Sequence, residues 1–401
     1  MNPLRVCCSR VFQKTLFLFS LAYPYKKQAK IQSAEGVGVL LREKGIKRPF
    51  VIAGPTTSEH PETKKILSFC AISEAKPVLY CRKGINPEAS SIAAMKEEYL
   101  ASHCDAIISI GGGSSIDSAK ALAVALANPN KPFDKMAGLL KAKGPFPFHI
   151  AIPTTAGSGS ESSVATVLTG DDHRKYAITT PALLPDAYLL DGQFLMNSPE
   201  KLLSETGMDC YCHALEAYLG NSKTKKSKTK ALLALKIVDE NLRTLVFGKR
   251  TLELCDYVLA ASNLAGQAFS KSYVGYVHAL AHAVGGKTNQ PHGLLIAILL
   301  PYVLDAYGDK IAERLAYLSD LLSLTDKDKS IAEKAYVYRD HLEALEKELG
   351  IPKKIKSADL TEADIPALAK LASKEANPLY PVPKELDEGE LESILKEAIS
   401  L

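Results

Sequence analysis

Short apolar runs alternating with segments of helical period constrain this chain more than any other feature of its sequence. Pro49–Ala53, Pro77–Tyr80, Ala106–Ile110 and Phe148–Ile152 are the runs. Ala34–Lys44, Pro61–Cys70, Pro87–Leu100 and Ser115–Ala127 carry the helical period around them. Strands apolar on both faces and joined through helices predict a parallel sheet covered on both sides. Further strands are expected around Val164–Leu168 and Tyr188–Asp191. At Ser198-Pro199 the pattern changes. Serine as N-cap and proline at the first helical position start a helix, and nearly everything after it has helical period. An α/β domain of residues 1–197 followed by an all-helical domain of residues 198–401 is therefore expected, with no internal repeat.

A length of 401 residues suits two such domains, and 46% hydrophobic residues exclude a disordered chain. With 49 basic against 45 acidic side chains, nothing argues for a nucleic-acid partner. The one basic cluster, Lys223, Lys225, Lys226, Lys228 and Lys230, reads as a solvated loop and helix start. Eight cysteines without a C-x-x-C read as reduced, mostly buried thiols of a cytoplasmic protein. The apolar run Leu16–Ala22 follows Arg5, Arg10 and Lys14, but it is far short of the ~20 residues of a membrane span. It reads as a first helix or strand, with no membrane partner. A homodimer or higher homo-oligomer is expected.

The run ending at Ile110 leads directly into Gly111-Gly112-Gly113-Ser114-Ser115 and a helix start. Glycines let a backbone approach an anion, and a new helix offers free N–H groups and the positive end of its dipole. Ile116 stands where the third glycine of G-x-G-x-x-G belongs, so alone the stretch is also compatible with a bare tight turn. A second cluster, Pro153-Thr154-Thr155-Ala156-Gly157-Ser158-Gly159-Ser160, follows the next strand. Ligands of open α/β sheets bind at such carboxyl ends, and the two loops together point to a dinucleotide.

Asp209 and His213 are four residues apart, as are His278 and His282, and His292 follows a turn. Helical spacing puts each pair on one face. A carboxylate and several imidazoles among alanines are ligands for a divalent metal, although each pair alone also reads as a satisfied polar pair. His60, His103, His149, His173 and His341 have no such company and read as surface or packing residues. Cys210 and Cys212 read as packing.

The motifs GGGSSIDSAK, PTTAGSGSE, ETGMDCYCHALEAY and GYVHALAHAVGG followed by PHG stand in this order. With them the chain resembles the iron-containing (group III) alcohol dehydrogenases, from about Arg10 to the tail Asn377-Pro-Leu-Tyr-Pro-Val-Pro383. The resemblance implies the dehydroquinate synthase-like fold of that family, with an active site in a cleft between its domains. It implies Asp209, His213, His278 and His292 as metal ligands, with His282 beside the metal as the candidate proton path. Asn86, Gly112, Gly113, Ser114, Thr154, Thr155, Ser158, Ser163 and Lys175 would contact the dinucleotide.

The implied activity is hydride transfer between a primary alcohol or aldehyde and NAD or NADP, assisted by Fe²⁺, Zn²⁺ or another divalent metal. A polyol dehydrogenase of the sister family and a non-catalytic nucleotide-binding subunit are the alternatives. His213 argues against the first and the full set of ligands against the second. Three positions depart from the family pattern. Gly54 replaces the usual Asp that ends the first strand, which favours NADP. Glu205 replaces an Ala and is expected as a solvated acid near a helix N-terminus, the alternative being a carboxylate that orients His213 or collects cation charge beside the metal. Ile296 replaces an Asn in the stretch after His292.

Overall fold

The computed structural model describes residues 3–22, 25–84, 86–170 and 175–400. His173 lies outside the described residues. The chain opens with helix α1 (Pro3–Ala22). Strands and helices then alternate as β1 (Ala29–Ile31), α2 (Ala34–Glu43), β2 (Pro49–Ala53), α3 (Pro61–Ile72), β3 (Val78–Cys81), α4 (Ala89–Ala101), β4 (Ala106–Gly111) and α5 (Gly113–Ala127). Next come β5 (Gly138–Leu139), β6 (Phe148–Pro153), β7 (Ala165–Thr169), β8 (Lys175–Thr179) and β9 (Ala187–Leu189). The longer helices that follow are α6 (Glu200–Leu219), α7 (Lys225–Phe247), α8 (Leu252–Ser272), α9 (Tyr276–Thr288), α10 (His292–Tyr307), α11 (Ala312–Leu321), α12 (Ile331–Glu348), α13 (Ile365–Ala376) and α14 (Glu388–Ala398).

Six strands form a wholly parallel sheet in the order β1-β9-β6-β4-β2-β3. The period of two divides its side chains between two cores. Val51, Ile108 and Ile150 pack on one face with Leu41 and Ile66, whereas Phe50, Ile52 and Ile107 pack on the other with Ile92, Met95 and Leu122. This is why the central strands read as continuous apolar runs. A small second sheet, β5-β8-β7, was not legible in the sequence apart from β7. Its strands are short and only half buried, so they carry no clear hydrophobic period.

The chain packs as two units. One consists of residues 25–198 and 250–266, and the other of α1, residues from Pro199 to Lys249 and residues from Gln267 onward. The expected division at 197/198 differs from this at two segments. Helix α1 belongs with the helical unit because Arg10 donates to Val382 O at 2.7 Å, and Gln13 to Pro378 O at 3.1 Å and Tyr380 O at 2.9 Å. Residues 250–266 belong with the α/β unit. There Asp256 accepts from Gly192 N at 2.7 Å, and Asn263 donates to Glu161 at 3.0 Å. Both attachments depend on polar side chains that reach residues distant in sequence, which no local period reveals.

No helix among the described residues is long and apolar enough to cross a membrane. No disulfide joins the eight cysteines, but only Cys70, Cys210, Cys212 and Cys255 are buried, while Cys7, Cys8 and Cys81 are exposed. The lysine cluster does start a helix, with Thr224 as N-cap. Lys228 nevertheless lies over the rings of Tyr218 and Tyr317.

One buried acid makes the helical unit sensitive to pH. Glu346 is 8% exposed and its Oε1 has no hydrogen-bond partner. Burial, aided by Glu343, pushes its carboxyl up from the ordinary 4.5 to about 8. Between those values the folded state holds a proton that the unfolded state has lost, so stability falls as pH rises through about 8. Glu346→Gln should therefore match the parent at pH 4 and exceed it in Tm at pH 9, by ~2–4 °C per kcal/mol recovered. An equal Tm difference at both pH values in calorimetry would contradict this.

Candidate active site

The carboxyl ends of β4 and β6 lead into the two glycine–hydroxyl loops of the α/β unit, in register at Gly111 and Pro153. The loops are bonded to one another, with Thr154 N donating to Gly111 O at 3.1 Å. Glycine is required where they touch. A Cβ on Gly112 would meet Thr155 Oγ1 at 3.1 Å, and one on Gly113 would meet Ser158 Oγ at 2.8 Å. Gly112 is the N-cap of α5 and supplies no side-chain cap, so first-turn amides remain for an anion. Ser114 and Ser158 flank this turn.

Other expected nucleotide contacts sit differently. The Ser163 hydroxyl is engaged by Lys120 Nζ at 2.9 Å, deep in the unit. Lys175 opens β8, paired with Thr169. The Asn86 carbonyl accepts from Arg82 Nη1 at 3.4 Å. Lys120 itself escaped the sequence reading. Fully buried, it also donates to Ser160 O at 2.7 Å, Ser163 O at 2.8 Å and Ala165 O at 2.9 Å. Burial lowers its ammonium to about 8, against the raising effect of Asp117 and Glu161.

In the helical unit α6 is buried from Leu203 to Leu219 except at Thr206, so Asp209 and His213 project among neighbouring helices. The start of α10 presses against α6. A Cβ on Gly293 would lie 2.4 Å from Glu205 O, and that contact seats the adjacent His292. Three imidazoles converge on one carboxylate oxygen, Asp209 Oδ1: His213 Nδ1 at 3.4 Å, His278 Nε2 at 3.7 Å and His292 Nε2 at 3.7 Å. Asp209, His278 and His292 each offer a ligand atom within 4.8 Å of the others. His213 stands outside that set, its ring stacked on Phe269 at 4.5 Å and 4.2 Å from the His278 ring.

Asp209 Oδ1, His213 Nδ1 and His278 Nε2 are buried with no hydrogen-bond partner. Polar atoms in that state are costly. A set of three nitrogens and one oxygen suits Fe²⁺, Zn²⁺, Mn²⁺ or Co²⁺, so the residues fit a divalent cation. The four groups are also strongly coupled electrostatically. Burial pushes the Asp209 carboxyl up, but His213, His278 and His292 outweigh it and hold the group far below the carboxylate range. Burial lowers His213 to about 4 despite Asp209. His278 goes the other way, to about 9, because Glu216 and Asp209 overcome its burial.

His282 lies beside this group, its ring 5.2 Å from that of His292 and nearly parallel to it. Its Nδ1 is 2.7 Å from Glu375 Oε1, which also accepts from Tyr380 OH at 2.8 Å. Neither Glu375 nor Glu216, which contacts His278, was found from sequence. Both lie far along the chain from the histidines they contact. Glu205 is not a solvated acid. It is 6% exposed and its carboxyl is raised by burial. Ile296 is fully buried. The remaining histidines pack or cap: His149 bonds Ser109 at 2.8 Å, His60 caps α3, His341 pairs with Asp239 at 2.8 Å, and His103 is exposed.

Comparison with known proteins follows the same division. The model of the iron-containing alcohol dehydrogenases matches residues 29–192, and that of the C-terminal part of the Fe-containing alcohol dehydrogenase family matches residues 203–399. A 1,3-propanediol dehydrogenase of Citrobacter freundii is 31% identical over 78% of this chain and 81% of its own length. The chain belongs to the iron-containing alcohol dehydrogenase family. It is an oxidoreductase of the class that acts on CH–OH groups with a nicotinamide cofactor. An NAD-dependent methanol dehydrogenase of Bacillus methanolicus is 29% identical over 84% of this chain and 88% of its own. The solved alcohol dehydrogenase from Oenococcus oeni aligns with a TM-score of 0.88 and 27% identity, over 94% of this chain and all of its own.

If these donors hold a cation, elemental analysis should find one divalent ion per chain, and His278→Ala should lose it with little change in circular dichroism. Full metal occupancy in that variant would remove His278 from the set.

Proposed function

We propose that Asp209, His213, His278 and His292 hold one divalent cation, Fe²⁺ in the cell, for a cytoplasmic, homo-oligomeric aldehyde reductase and alcohol dehydrogenase. The observation that carries this is the convergence of three imidazoles on one buried carboxylate oxygen that makes no hydrogen bond. When bound, the cation supplies Lewis acidity toward the oxygen of an alcohol or aldehyde. The chain's own tasks are to hold ligands, cofactor and proton. Gly112, Gly113 and Ser114, with Thr154, Thr155 and Ser158, present amides and hydroxyls for the pyrophosphate and ribose. The reaction converts a primary alcohol and NAD(P)⁺ into an aldehyde, NAD(P)H and one proton, so a proton acceptor is needed. His282 fills that role: its Nδ1 is engaged by Glu375, which leaves Nε2 to exchange the proton.

Small substrates are favoured by the relatives, whose names refer to 1,3-propanediol, methanol and lactaldehyde. For the cofactor, we favour NADP(H). Gly54 offers no carboxylate to the adenine ribose and none to repel a 2′-phosphate, and a Cβ built on it meets nothing within 4 Å.

An anaerobic reductase screen of short aldehydes, with NADH and NADPH in parallel and defined metals, tests the whole reading. An absence of metal-dependent turnover with any of them would overturn it. His282→Ala should keep its metal and lose ~10²–10⁴-fold in alcohol oxidation, with one limb of the pH profile gone. Equal rates at every pH would exclude the proton role. In kcat/KM the parent should prefer NADPH. Restoring the carboxylate with Gly54→Asp should shift the ratio toward NADH by about 10- to 100-fold, the worth of charged hydrogen bonds of ~1.5–3 kcal/mol. A clear NADH preference in the parent would defeat this assignment.

A further inference from the structure

Glu216 follows His213 on α6 by three residues, and none of the roles above uses it. Its side chain is buried, at 6% exposure, and both oxygens are engaged. Oε2 accepts from Gly275 N at 2.8 Å and lies 2.6 Å from His278 Nδ1, while Oε1 accepts from Val277 N at 2.9 Å. Backbone amides only donate, so this carboxylate acts as an acceptor at both oxygens. The third contact is then satisfied when His278 carries its hydrogen on Nδ1. In the neutral ring that tautomer leaves the lone pair on Nε2. Nε2 is the nitrogen that faces Asp209 Oδ1 at 3.7 Å without a hydrogen bond of its own.

The same carboxylate seats the helix that carries the histidine. Gly275 is the N-cap of α9 and has no side chain to cap it. Glu216, arriving from α6, accepts from two amides of that first turn instead. Its approach depends on the glycine: a Cβ on Gly275 would lie 2.6 Å from Glu216 Oε1. Orientation of a metal-binding imidazole by a carboxylate on its far nitrogen is a general device, because it settles both the tautomer and the ring plane.

We propose that Glu216 is a positioning residue for the metal: it keeps the Nε2 lone pair of His278 open and aimed at Asp209, while anchoring the first turn of α9. This rests on the reading that Asp209 and the three histidines hold a divalent cation. A glutamine at 216 has one acceptor where three N–H groups converge. Its amide hydrogens either oppose a backbone N–H or donate to His278 Nδ1, and donation there moves the ring hydrogen to Nε2 and closes the ligand.

The test is a Co²⁺ titration of the full chain after chelator stripping, without oxygen, followed by calorimetry and by the visible absorption of the bound ion. The parent, Glu216→Gln, Glu216→Asp and Gly275→Ala are compared, with circular dichroism and Tm of the stripped proteins recorded alongside. Glu216→Gln should bind Co²⁺ about 10- to 100-fold more weakly than the parent and shift its absorption band. Glu216→Asp, one methylene shorter but still an acceptor, should recover part of the loss. Gly275→Ala keeps the glutamate and crowds it, so it should resemble Glu216→Gln and decides the matter if that variant does not fold. A purely structural cap would lower Tm and leave Co²⁺ affinity unmoved. Folded variants that bind within about threefold of the parent, less than the change expected for such a contact, overturn the role of Glu216. A parent that binds no Co²⁺ overturns the metal reading and this inference with it.

Discussion

A single buried oxygen, Asp209 Oδ1, organises the helical unit. Removing a carboxylate from water costs several kcal/mol unless opposite charge or hydrogen bonds offset it. Here the offset comes from three imidazoles on three helices, all at 3.4–3.7 Å from that oxygen. These distances are too long for hydrogen bonds and short enough for strong electrostatic coupling. The opposed shifts of His213, to about 4, and His278, to about 9, show how the coupling is distributed. Burial lowers His213, whereas Glu216 and Asp209 raise His278, whose ring lies 4.2 Å away. A divalent cation held by these residues would replace that partial compensation with a full one.

The α/β unit has its own organising contact. Lys120 closes the GGGSSIDSAK motif, and its buried ammonium is shared among the carbonyls of Ser160, Ser163 and Ala165. Asp117, one turn earlier, accepts from Val167 N at 3.2 Å. The helix that offers its amides to an anion is thereby bound to the segment that follows the hydroxyl loop. These hydrogen bonds tie the two motifs together, which would suit a ligand gripped without reorganising the backbone. This also explains why a lysine and an aspartate accompany a glycine turn that needs neither for its own conformation.

Much of this was legible in the sequence because it is written in short-range pattern. β2, β4 and β6 lie where runs of β-branched residues predicted them, and the Asp209–His213 and His278–His282 pairs follow from helical spacing alone. What escaped depends on contacts between elements. Lys120 looked like an ordinary helix residue, and its role appears only when the Ser160–Ala165 segment folds over it. Glu205 looked solvated because it stands near a helix start, yet α6 begins at Glu200 and Gly293 packs directly on it. Residues 252–266 run on in one helix with residues 267–272, and it is Asp256 and Asn263 that draw them to the α/β unit. Helical period reports which residues share a face; it does not report which unit that face joins.

Helix α9 shows how equal spacing yields unequal histidines. His278 and His282 stand one turn apart, and each Nδ1 meets a glutamate at 2.6–2.7 Å. Their surroundings then diverge. The glutamate of His278 is itself tied to two backbone amides, and the histidine side chain is 3% exposed, with its other nitrogen facing a carboxylate. The glutamate of His282 is held by a tyrosine hydroxyl, and that histidine side chain is 12% exposed, with a partner at 24%. A metal ligand has to be kept in one tautomer and away from water, because a mobile proton competes with the cation. A proton carrier needs the opposite, a polar partner that tolerates a change of charge and a route to solvent. On the proposed roles, the two glutamates supply those two environments, and the division of labour between the histidines would be set on the helices that face α9, by Glu216 on α6 and Glu375 on α13.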